Sequence, residues 1–375
     1  MIFHSMCNKP VLIIGNGIHS AEAEELLHEF MDKTDIPVLT SMNAVDLVQD
    51  GKRLGFIGTH GNRIANMIIN ECDLVLSIGA RLGLRQIGRY PYMFAPRAKI
   101  IRCDIDENEL ARSIREGDEE NYLSDARDFL ARLLTEDIPK YTDWRNKCYE
   151  AKKLLDNFDN EDGNLVIRKI GSLLPKNPVV AVDVGEHQCW TAQSLELRGN
   201  KGRILIGGGY GSMGCGLPFA IGASIAKKAQ GEKNIVYCIA GDGGLQMNIQ
   251  EFETVHREKL PVKIFVINNK VLGKIWETQH KQHNDRFAVT AESGGYTVPN
   301  FEKVANAYGI KAVTLNTFED LDKYRDWLID NQPCLINIII PTANLIAPKI
   351  NWDTQIMDPD VTIEIKIKVH EILSK

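Results

Sequence analysis

Short apolar runs alternate with helix-like segments along almost the whole sequence, and this alternation limits the fold to a few architectures. A helical pattern over residues 20–33 separates the first two runs. Such alternation is typical of βαβ units that build a parallel sheet. The pattern predicts a doubly wound α/β domain over residues 1–135. Its apolar runs are KPVLIIG (9–15), PVLT (37–40), DLVLSIG (73–79) and KIIRCD (99–104).

A second series of apolar runs begins near residue 178 and predicts a second α/β domain over residues 161–345. These runs are apolar enough to be buried on both faces of a mostly parallel sheet. They are PVVAVD (178–183), NIVYCIA (234–240), VKIFVIN (262–268) and CLINIII (334–340). Helical patterns separate them at 213–229, 247–259, 300–308 and 318–331.

The stretches outside these two domains carry weaker patterns. Residues 105–165 are charged and show few strand signals, so we expect solvated helices there, with a helical linker over 136–160. Residues 346–375 are expected to form a C-terminal tail. Its last twelve residues, EIKIKVHEILSK, alternate polar and apolar side chains and fit either a short edge strand or a loose end.

Composition excludes several functional classes. The formal net charge of −6 argues against a general nucleic-acid binder, which needs a basic surface. No apolar run approaches the roughly 18 residues of a membrane-spanning helix, and the N-terminus lacks the zones of a signal peptide. The eight cysteines include no CxxC pair. We therefore expect buried reduced thiols, a cytoplasmic location and no membrane partner.

The most informative motif is GDGG (241–244), which directly follows an apolar run. Glycines let a backbone approach a ligand closely, and the amides of a following helix favour phosphate. An aspartate such as Asp242 fits beside phosphate only if a cation lies between them. The next run ends in Asn268-Asn269, and parallel strands end at one sheet edge. Together these residues predict a Mg²⁺–diphosphate site.

GDGG followed after this interval by Asn-Asn resembles the motif of thiamine-diphosphate (ThDP) enzymes. The surrounding sequence is similar to the acetohydroxyacid (acetolactate) synthase branch of that family. The similar stretches are VGEHQCWTAQ (184–193), GGGYGSMGCGLPFAIGA (207–223), GDGGLQMNIQEFETV (241–255) and LPVKIFVINNKVLGK (260–274). Residues 1–135 then correspond to the family's Rossmann-like middle domain and 161–345 to its diphosphate-binding domain.

The resemblance implies that ThDP and Mg²⁺ are cofactors. Mg²⁺ would be held by the side chains of Asp242 and Asn269 and by the backbone carbonyl of Val271. Gly243 and Gly244 would cradle the terminal phosphate. The full set of implied cofactor-binding residues is Glu186, His187, Gly211, Ser212, Met213, Gly241, Asp242, Gly243, Gly244, Asn269, Val271, Leu272 and Gly273.

Further roles follow from the same resemblance. The Gly211 carbonyl would accept a hydrogen bond from the 4′-amino group, and Met213 would hold the bent cofactor between its rings. His187 would donate to phosphate or be a satisfied polar residue. Glu186 stands where the family often has an amide. Lys274 stands where the synthases have an apolar residue, and it would either neutralise a substrate carboxylate or point to solvent.

The middle domain carries a second glycine-rich turn, Gly15-Asn16-Gly17-Ile18-His19-Ser20, which approximates the dinucleotide fingerprint GxGxxG. Relatives hold FAD against this domain. GTHG (58–61), GARL (79–82), Arg85 and DID (104–106) lie in corresponding places. The family's acidic pair after the first arginine is here Gly83-Leu84, which argues against a flavin.

The resemblance implies a carboligase component that decarboxylates a 2-keto acid such as pyruvate. In the family, a glutamate that activates the cofactor lies in an N-terminal pyrimidine domain, and this sequence begins with the middle domain. We therefore identify no catalytic residue, and we expect a partner subunit with a pyrimidine domain, self-association, or both. The alternatives are a non-catalytic cofactor- or nucleotide-binding module and a truncated remnant of a synthase.

Overall fold

The computed structural model describes residues 7–49, 51–155, 158, 160–342, 344–350 and 361–374. The chain divides into two compact units. Unit 1 comprises Met1–Asp159 and Ala347–Lys375, and unit 2 comprises Asn160–Ile346. The domain boundaries expected from the sequence stay predictions.

Unit 1 contains a five-stranded sheet in which every pairing between described strands is parallel. The strand order is β2-β1-β3-β4-β5. Strands β1 and β3 lie at the centre and are buried along their whole length, as their continuous apolar sequences require. The strands are β1 (Pro10–Ile14), β2 (Val38–Thr40), β3 (Leu74–Ile78), β4 (Lys99–Asp104) and β5 (Glu119–Leu123).

Helices surround this sheet. Asp106 and Asp125 cap two of them, because each aspartate side chain accepts a hydrogen bond from a backbone amide two residues later. The helices of unit 1 are α1 (Gly17–Ser20), α2 (Glu24–Thr34), α3 (Arg63–Glu71), α4 (Leu84–Ile87), α5 (Glu107–Ala111), α6 (Ala126–Leu134) and α7 (Thr142–Leu155), together with the C-terminal helix Ile363–Ser374.

Two expectations for unit 1 are wrong. The charged stretch 105–165 is not a set of solvated helices, because it contributes strand β5 to the sheet, and α7 buries Trp144 and Cys148 in the core. The last residues form neither an edge strand nor a loose end. They form a helix that places Val369 and Leu373, four residues apart, in the same core.

Unit 2 contains a six-stranded sheet, again with only parallel pairings between described strands. The order is β10-β11-β9-β8-β6-β7. The expected fold class, two doubly wound parallel-sheet α/β units, is therefore confirmed. The strands are β6 (Val179–Val182), β7 (Arg203–Ile206), β8 (Val236–Gly241), β9 (Val262–Asn268), β10 (Lys311–Leu315) and β11 (Cys334–Ile339).

The helices of unit 2 include α9, which is buried on every side although most of its residues are polar. Asn164 donates hydrogen bonds to Gln193 Oε1 (2.9 Å) and Ser194 Oγ (2.8 Å) of this helix. The helices are α8 (Asp162–Leu173), α9 (Glu186–Ser194), α10 (Gly216–Ala229), α11 (Asp242–Met247), α12 (Phe252–Arg257), α13 (Gly273–Gln282), α14 (Phe301–Ala307) and α15 (Arg325–Ile329). The C-terminal helix of unit 1 is α16.

Short 3₁₀ segments complete the described secondary structure at Met42–Ala44, Pro91–Met93, Ile249–Glu251, Glu292–Gly294 and Phe318–Tyr324. No described helix is long and apolar enough to cross a bilayer. All eight cysteines are described and all are free thiols.

In each sheet the first strand is flanked on opposite sides by the two strands that follow it, and ligands of open α/β sheets bind at such a switch point, outside the carboxyl ends of the strands. In unit 1 the switch point lies between β1 and β3, because β2 and β3 flank β1 on opposite sides. In unit 2 it lies between β6 and β8, because β7 and β8 flank β6. The two switch points are the places to look for a site.

Candidate functional site

A cavity of about 190 Å³ lies at the switch point of unit 2. Its walls come from the segments that follow the carboxyl ends of β6, β7, β8 and β9. The lining residues are Val184, Gly185, Glu186, His187, Trp190, Gly211, Met213, Gly241, Asp242, Gly243, Gly244, Ile267, Asn269, Val271, Leu272, Gly273, Lys274 and Ile275.

The cavity brings together every residue that the sequence nominated for the cofactor except Ser212. Ser212 is exposed and does not belong to the described lining. The register of β8 and β9 explains the convergence, because Gly241 pairs with Ile267 and both strands end at the same edge. The roles assigned to these residues remain proposals.

Asp242 is the first residue of α11 and is 2 % exposed. Its Oδ1 accepts a hydrogen bond from the Tyr296 hydroxyl (2.9 Å), and its Oδ2 accepts one from the Lys270 amide (2.7 Å). Lys270 holds a left-handed backbone conformation, with φ of 61°, to present that amide. Burial raises the pKa of Asp242 to about 6, against these hydrogen bonds. Binding a cation would offset this cost of burying a carboxylate.

Asn269 lies beside Asp242 at the same edge. Its Nδ2 donates to Glu186 Oε2 (2.9 Å), and its Oδ1 accepts from the Val271 amide (3.2 Å). The Glu186 carboxylate therefore fixes which way the Asn269 amide faces. A carboxylate, an amide oxygen and a backbone carbonyl are the hard oxygen ligands that suit Mg²⁺. The donor set thus fits magnesium, and the described residues contain no cluster of three His, Cys, Asp or Glu that could hold a metal instead.

His187 and Asp183 place polar atoms without partners beside the cavity. Burial, and next the nearby Lys274 ammonium, lower the pKa of His187 to about 3, so the imidazole is neutral. Its Nε2 and Asp183 Oδ2 are buried and have no hydrogen-bond partner among the described residues. Buried polar atoms without partners are uncommon in native structures, and a bound ligand is one explanation. The His187 ring donates a hydrogen bond to the Asp183 backbone carbonyl, so the neutral imidazole carries its proton on Nδ1 and presents Nε2 as an acceptor.

Most glycines of the cavity lie close to neighbouring side chains, which leave little space for a side chain in their place. A Cβ on Gly243 would lie 2.5 Å from Leu272 Cδ2 and 3.1 Å from the Tyr296 hydroxyl. A Cβ on Gly241 would lie 3.0 Å from the His187 ring. Gly211 has a φ of 63°. Gly241 and Gly243, at the start of α11, suit a phosphate group approached by backbone amides. The residues present therefore fit a diphosphate together with Mg²⁺.

Lys274 lines the same cavity rather than pointing to solvent. It lies in the first turn of α13, and its ammonium group donates to the Cys189 thiol (3.2 Å). Within the described residues it has no carboxylate partner. It is the cationic side chain of a cavity that also contains two carboxylates, Glu186 and Asp242.

Sequence reasoning missed three residues of this site. Tyr296 contacts Asp242 from a segment 54 residues away, and no local motif marks it. Asp183, at the end of β6, accepts from the amides of Val184 and Gly214 (both 2.7 Å) and so connects two walls of the cavity. Trp190 lines the cavity from α9. For Trp190, the sequence offered one signal: the polar residues of α9 lie between apolar runs, which indicates a buried helix with a role other than core packing.

The glycine-rich turn of unit 1 is closed by backbone packing. A Cβ on Gly15 would overlap the carbonyl oxygen of Gly79, and one on Gly17 would lie 2.6 Å from the Gly79 Cα. The Gly17 amide donates to the same carbonyl (3.0 Å). The helix that follows, α1, has only four residues. These glycines serve contact between two loops.

The other segments nominated for a flavin are also used internally. Thr59 of the GTHG stretch donates its amide to the Arg85 carbonyl (2.8 Å). A Cβ on Gly58 would overlap that carbonyl. Asp106 of the DID stretch caps α5. Neither these contacts nor the comparisons below support a bound FAD.

Comparison with known protein families gives two matches. "Thiamine pyrophosphate enzyme, central domain" matches residues 6–133, and "Thiamine pyrophosphate enzyme, C-terminal TPP binding domain" matches residues 183–338. TPP is another name for ThDP. The second match includes the segments that form the cavity.

Several similar curated proteins are described as acetolactate synthase large subunits. The chain is 33% identical to the "Probable acetolactate synthase large subunit" of Methanocaldococcus jannaschii, over 96% of this chain and 62% of the relative. It is 30% identical to the "Acetolactate synthase isozyme 2 large subunit" of Escherichia coli, over 91% of this chain and 61% of the relative. It is 30% identical to the "Acetolactate synthase large subunit" of Lactococcus lactis, over 92% of this chain and 60% of the relative. The chain thus spans about three fifths of the length of these relatives.

Proposed function

We infer the function of this chain from its family: it belongs to the thiamine pyrophosphate enzymes, of which it carries the central and the C-terminal TPP-binding domains. The resemblance found in the sequence is thereby confirmed, and a ThDP-dependent, synthase-like function follows. The partial coverage of its relatives leaves the reaction itself to be argued from the cavity.

We propose that the chain is the diphosphate-binding component of a ThDP- and Mg²⁺-dependent enzyme that decarboxylates a 2-keto acid, such as pyruvate, and joins the remaining fragment to a second carbonyl. When bound, ThDP supplies the carbanion chemistry, and the protein supplies orientation. The observation that carries the proposal is the convergence of Asp242, Asn269 and the glycines at one switch point. The relatives' names support the acetolactate-forming version of this reaction.

The chain's own residues would act mainly by binding and positioning. Asp242, Asn269 and the Val271 carbonyl would hold Mg²⁺, and Gly243 and Gly244 would admit the terminal phosphate. The Mg²⁺ would neutralise negative charge on the diphosphate, which is otherwise costly to bury in the cavity.

Other residues of the cavity would position the reacting part of the cofactor. Gly211 would accept from the 4′-amino group through its carbonyl, and Met213, at 36% exposure, would support the bent conformation between the rings. Leu272, Ile275 and Trp190 would exclude water beside it.

Activation of the cofactor would require a pyrimidine domain from elsewhere. The family matches cover the central and C-terminal domains, and the relatives extend beyond the matched region. Their names contain "large subunit", which supports assembly with other chains. We therefore propose a homo-oligomer, a partner subunit, or both, as the active form. Free thiols throughout support a cytoplasmic location.

Calorimetric titration of ThDP into the purified chain, with and without Mg²⁺, tests this proposal. We expect binding that depends on Mg²⁺, and turnover of pyruvate once the pyrimidine domain of an acetolactate synthase is added. Absence of Mg²⁺-dependent binding would contradict the proposed site. Binding without turnover, with any matching pyrimidine domain and any 2-keto acid, would leave a cofactor-binding module and contradict the carboligase.

A further inference from the structure

Mg²⁺ would neutralise part of the charge of a bound diphosphate, and the cavity wall contains one further cation. Four lining residues are ionisable: Glu186, His187, Asp242 and Lys274. Two are carboxylates, and the buried imidazole is neutral at ordinary pH because its pKa is lowered to about 3. Lys274 is therefore the side chain that brings positive charge to this part of the described chain.

Glu186 is already engaged with a different partner. Its Oε2 accepts from Asn269 Nδ2 (2.9 Å), and the carboxylate packs so close to Gly273 that a Cβ there would overlap it. An acid in this position repels a phosphate, and it serves instead to orient the Asn269 amide.

The position of Lys274 indicates which part of a ligand it would meet. Its charge acts on His187, whose ring lies 3.0 Å from the place of a Cβ on Gly241. Gly241 begins the GDGG loop, and the thiol that the ammonium contacts belongs to Cys189, two residues after His187 in α9. The ammonium therefore lies on the side of the cavity that α9 forms, where the His187 ring faces this loop. In the ligand-free chain its hydrogen-bond acceptor is the Cys189 thiol at 3.2 Å, which is a weak acceptor. An ammonium with only a thiol as partner is ready to bind an anion.

We propose that Lys274 leaves Cys189 and binds an oxygen of the cofactor's diphosphate, supplying the phosphate contact that Glu186 cannot make. This inference rests on the proposed function. Charge-assisted hydrogen bonds are stronger than neutral ones, and the loss of one changes affinity by about 10- to 100-fold. Lys274 is thus assigned to the cofactor phosphate rather than to a carboxylate of the substrate.

The test is calorimetric titration of inorganic pyrophosphate into the full chain and its variants. The buffer contains about 5 mM Mg²⁺, so that the metal site is occupied. Lys274→Met should weaken pyrophosphate binding at least about tenfold, and Lys274→Arg should restore most of it. Glu186→Gln, which keeps an acceptor for Asn269, should strengthen it because a repulsive charge is removed. Lys303→Met, at an exposed lysine of α14, is the matched control and should have no effect.

The outcomes distinguish a phosphate contact of Lys274 from a substrate contact, and both from failure of the proposed cofactor site. Equal pyrophosphate affinity of Lys274→Met and the unaltered chain would overturn the inference. If that variant changed only the affinity for a keto acid, Lys274 would instead be a substrate contact, which also overturns it. Failure of the unaltered chain to bind pyrophosphate would refute the proposed function as well. If Lys274→Met does not fold, Lys274→Gln retains a polar group beside Cys189 and makes the same comparison.

Discussion

The switch points of the two units differ although both follow a central parallel strand with a glycine-rich turn. In unit 1 the space is filled, because Gly15 and Gly17 contact Gly79 through their backbones. In unit 2 the turn that begins at Gly241 opens onto a cavity. Two polar atoms that have no partner among the described residues, His187 Nε2 and Asp183 Oδ2, lie beside that cavity. A glycine-rich turn therefore indicates that another group lies close to the backbone of the turn. The surrounding residues determine whether that group is another backbone segment or a ligand.

The largest effect that would break this comparison is expected from Asp242→Asn. The variant removes the carboxylate ligand, so the Mg²⁺-dependent affinity for ThDP should fall about 100-fold or more. Because burial of the charged carboxylate is unfavourable, the ligand-free variant should unfold at a temperature no lower than the unaltered chain. Titration calorimetry and thermal unfolding give the two values.

Asp104→Asn, at the end of β4 in unit 1, is the control for that variant. It should leave ThDP affinity unchanged because the cavity belongs to unit 2. A metal-dependent affinity that survives Asp242→Asn would mean that the cavity holds the cofactor in another way.

Two alanine substitutions, one in each glycine-rich turn, should change the free energy of unfolding by different amounts. Gly15→Ala would force a methyl group into the Gly79 backbone, which cannot give way, and should cost about 3 kcal/mol of unfolding free energy. Gly243→Ala meets the ends of the Leu272 and Tyr296 side chains, and alanine is favoured in a helix. It should change stability by no more than about 1 kcal/mol, while pyrophosphate affinity falls roughly tenfold.

Urea unfolding and pyrophosphate titration of both variants are the measurements. The opposite pattern, with Gly15→Ala stable and Gly243→Ala unfolded, would remove the distinction between a packed turn and a binding turn.

Tyr296→Phe should have a smaller effect. It removes the hydroxyl that donates to Asp242 Oδ1, and groups that orient a metal ligand typically contribute about tenfold in metal affinity. We expect the Mg²⁺ concentration for half-maximal ThDP binding to rise by about that factor, with little change in the unfolding temperature. Tyr308→Phe, at the C-terminal end of α14, should leave that concentration unchanged. Equal metal dependence in the two variants would show that Tyr296 contacts Asp242 without orienting it.

The smallest effect concerns unit 1. Saturating FAD should leave the unfolding temperature of the chain unchanged, because backbone atoms of Gly79 occupy the space beside Gly15 and Gly17. Mg²⁺–ThDP at about 100 times its dissociation constant should stabilise the native state by about 2.7 kcal/mol. A rise with FAD of similar size would show that unit 1 holds a nucleotide after all.

Much of the fold was predictable because buried parallel strands are continuous apolar runs. Three strands escaped prediction. Strand β5 reads EENYL and is only partly buried, and β7 and β10 are half-buried along most of their length. The alternating tail suggested a strand, but Val369 and Leu373 pack as a helical pair. Tertiary contacts decided the structure there, and a single sequence does not show them.

The candidate site was predictable to the extent that it follows strand ends. Asp242 and Asn269 are each one residue beyond a strand, so the sheet itself brings them together. Tyr296 belongs to an irregular segment far along the chain, and only the fold reveals its contact with Asp242. The orientation of Glu186 towards Asn269 likewise depends on packing between α9 and the loop after β9.

Hydrogen–deuterium exchange at C2 of ThDP, followed by NMR with Mg²⁺ and excess protein, tests the central claim most directly. We predict a shifted ³¹P signal, which reports that the diphosphate is bound, together with exchange at the rate of free ThDP. Addition of a pyrimidine domain from an acetolactate synthase should then accelerate exchange. Fast exchange with the chain alone would contradict the need for a partner, and an unshifted ³¹P signal would contradict the diphosphate site.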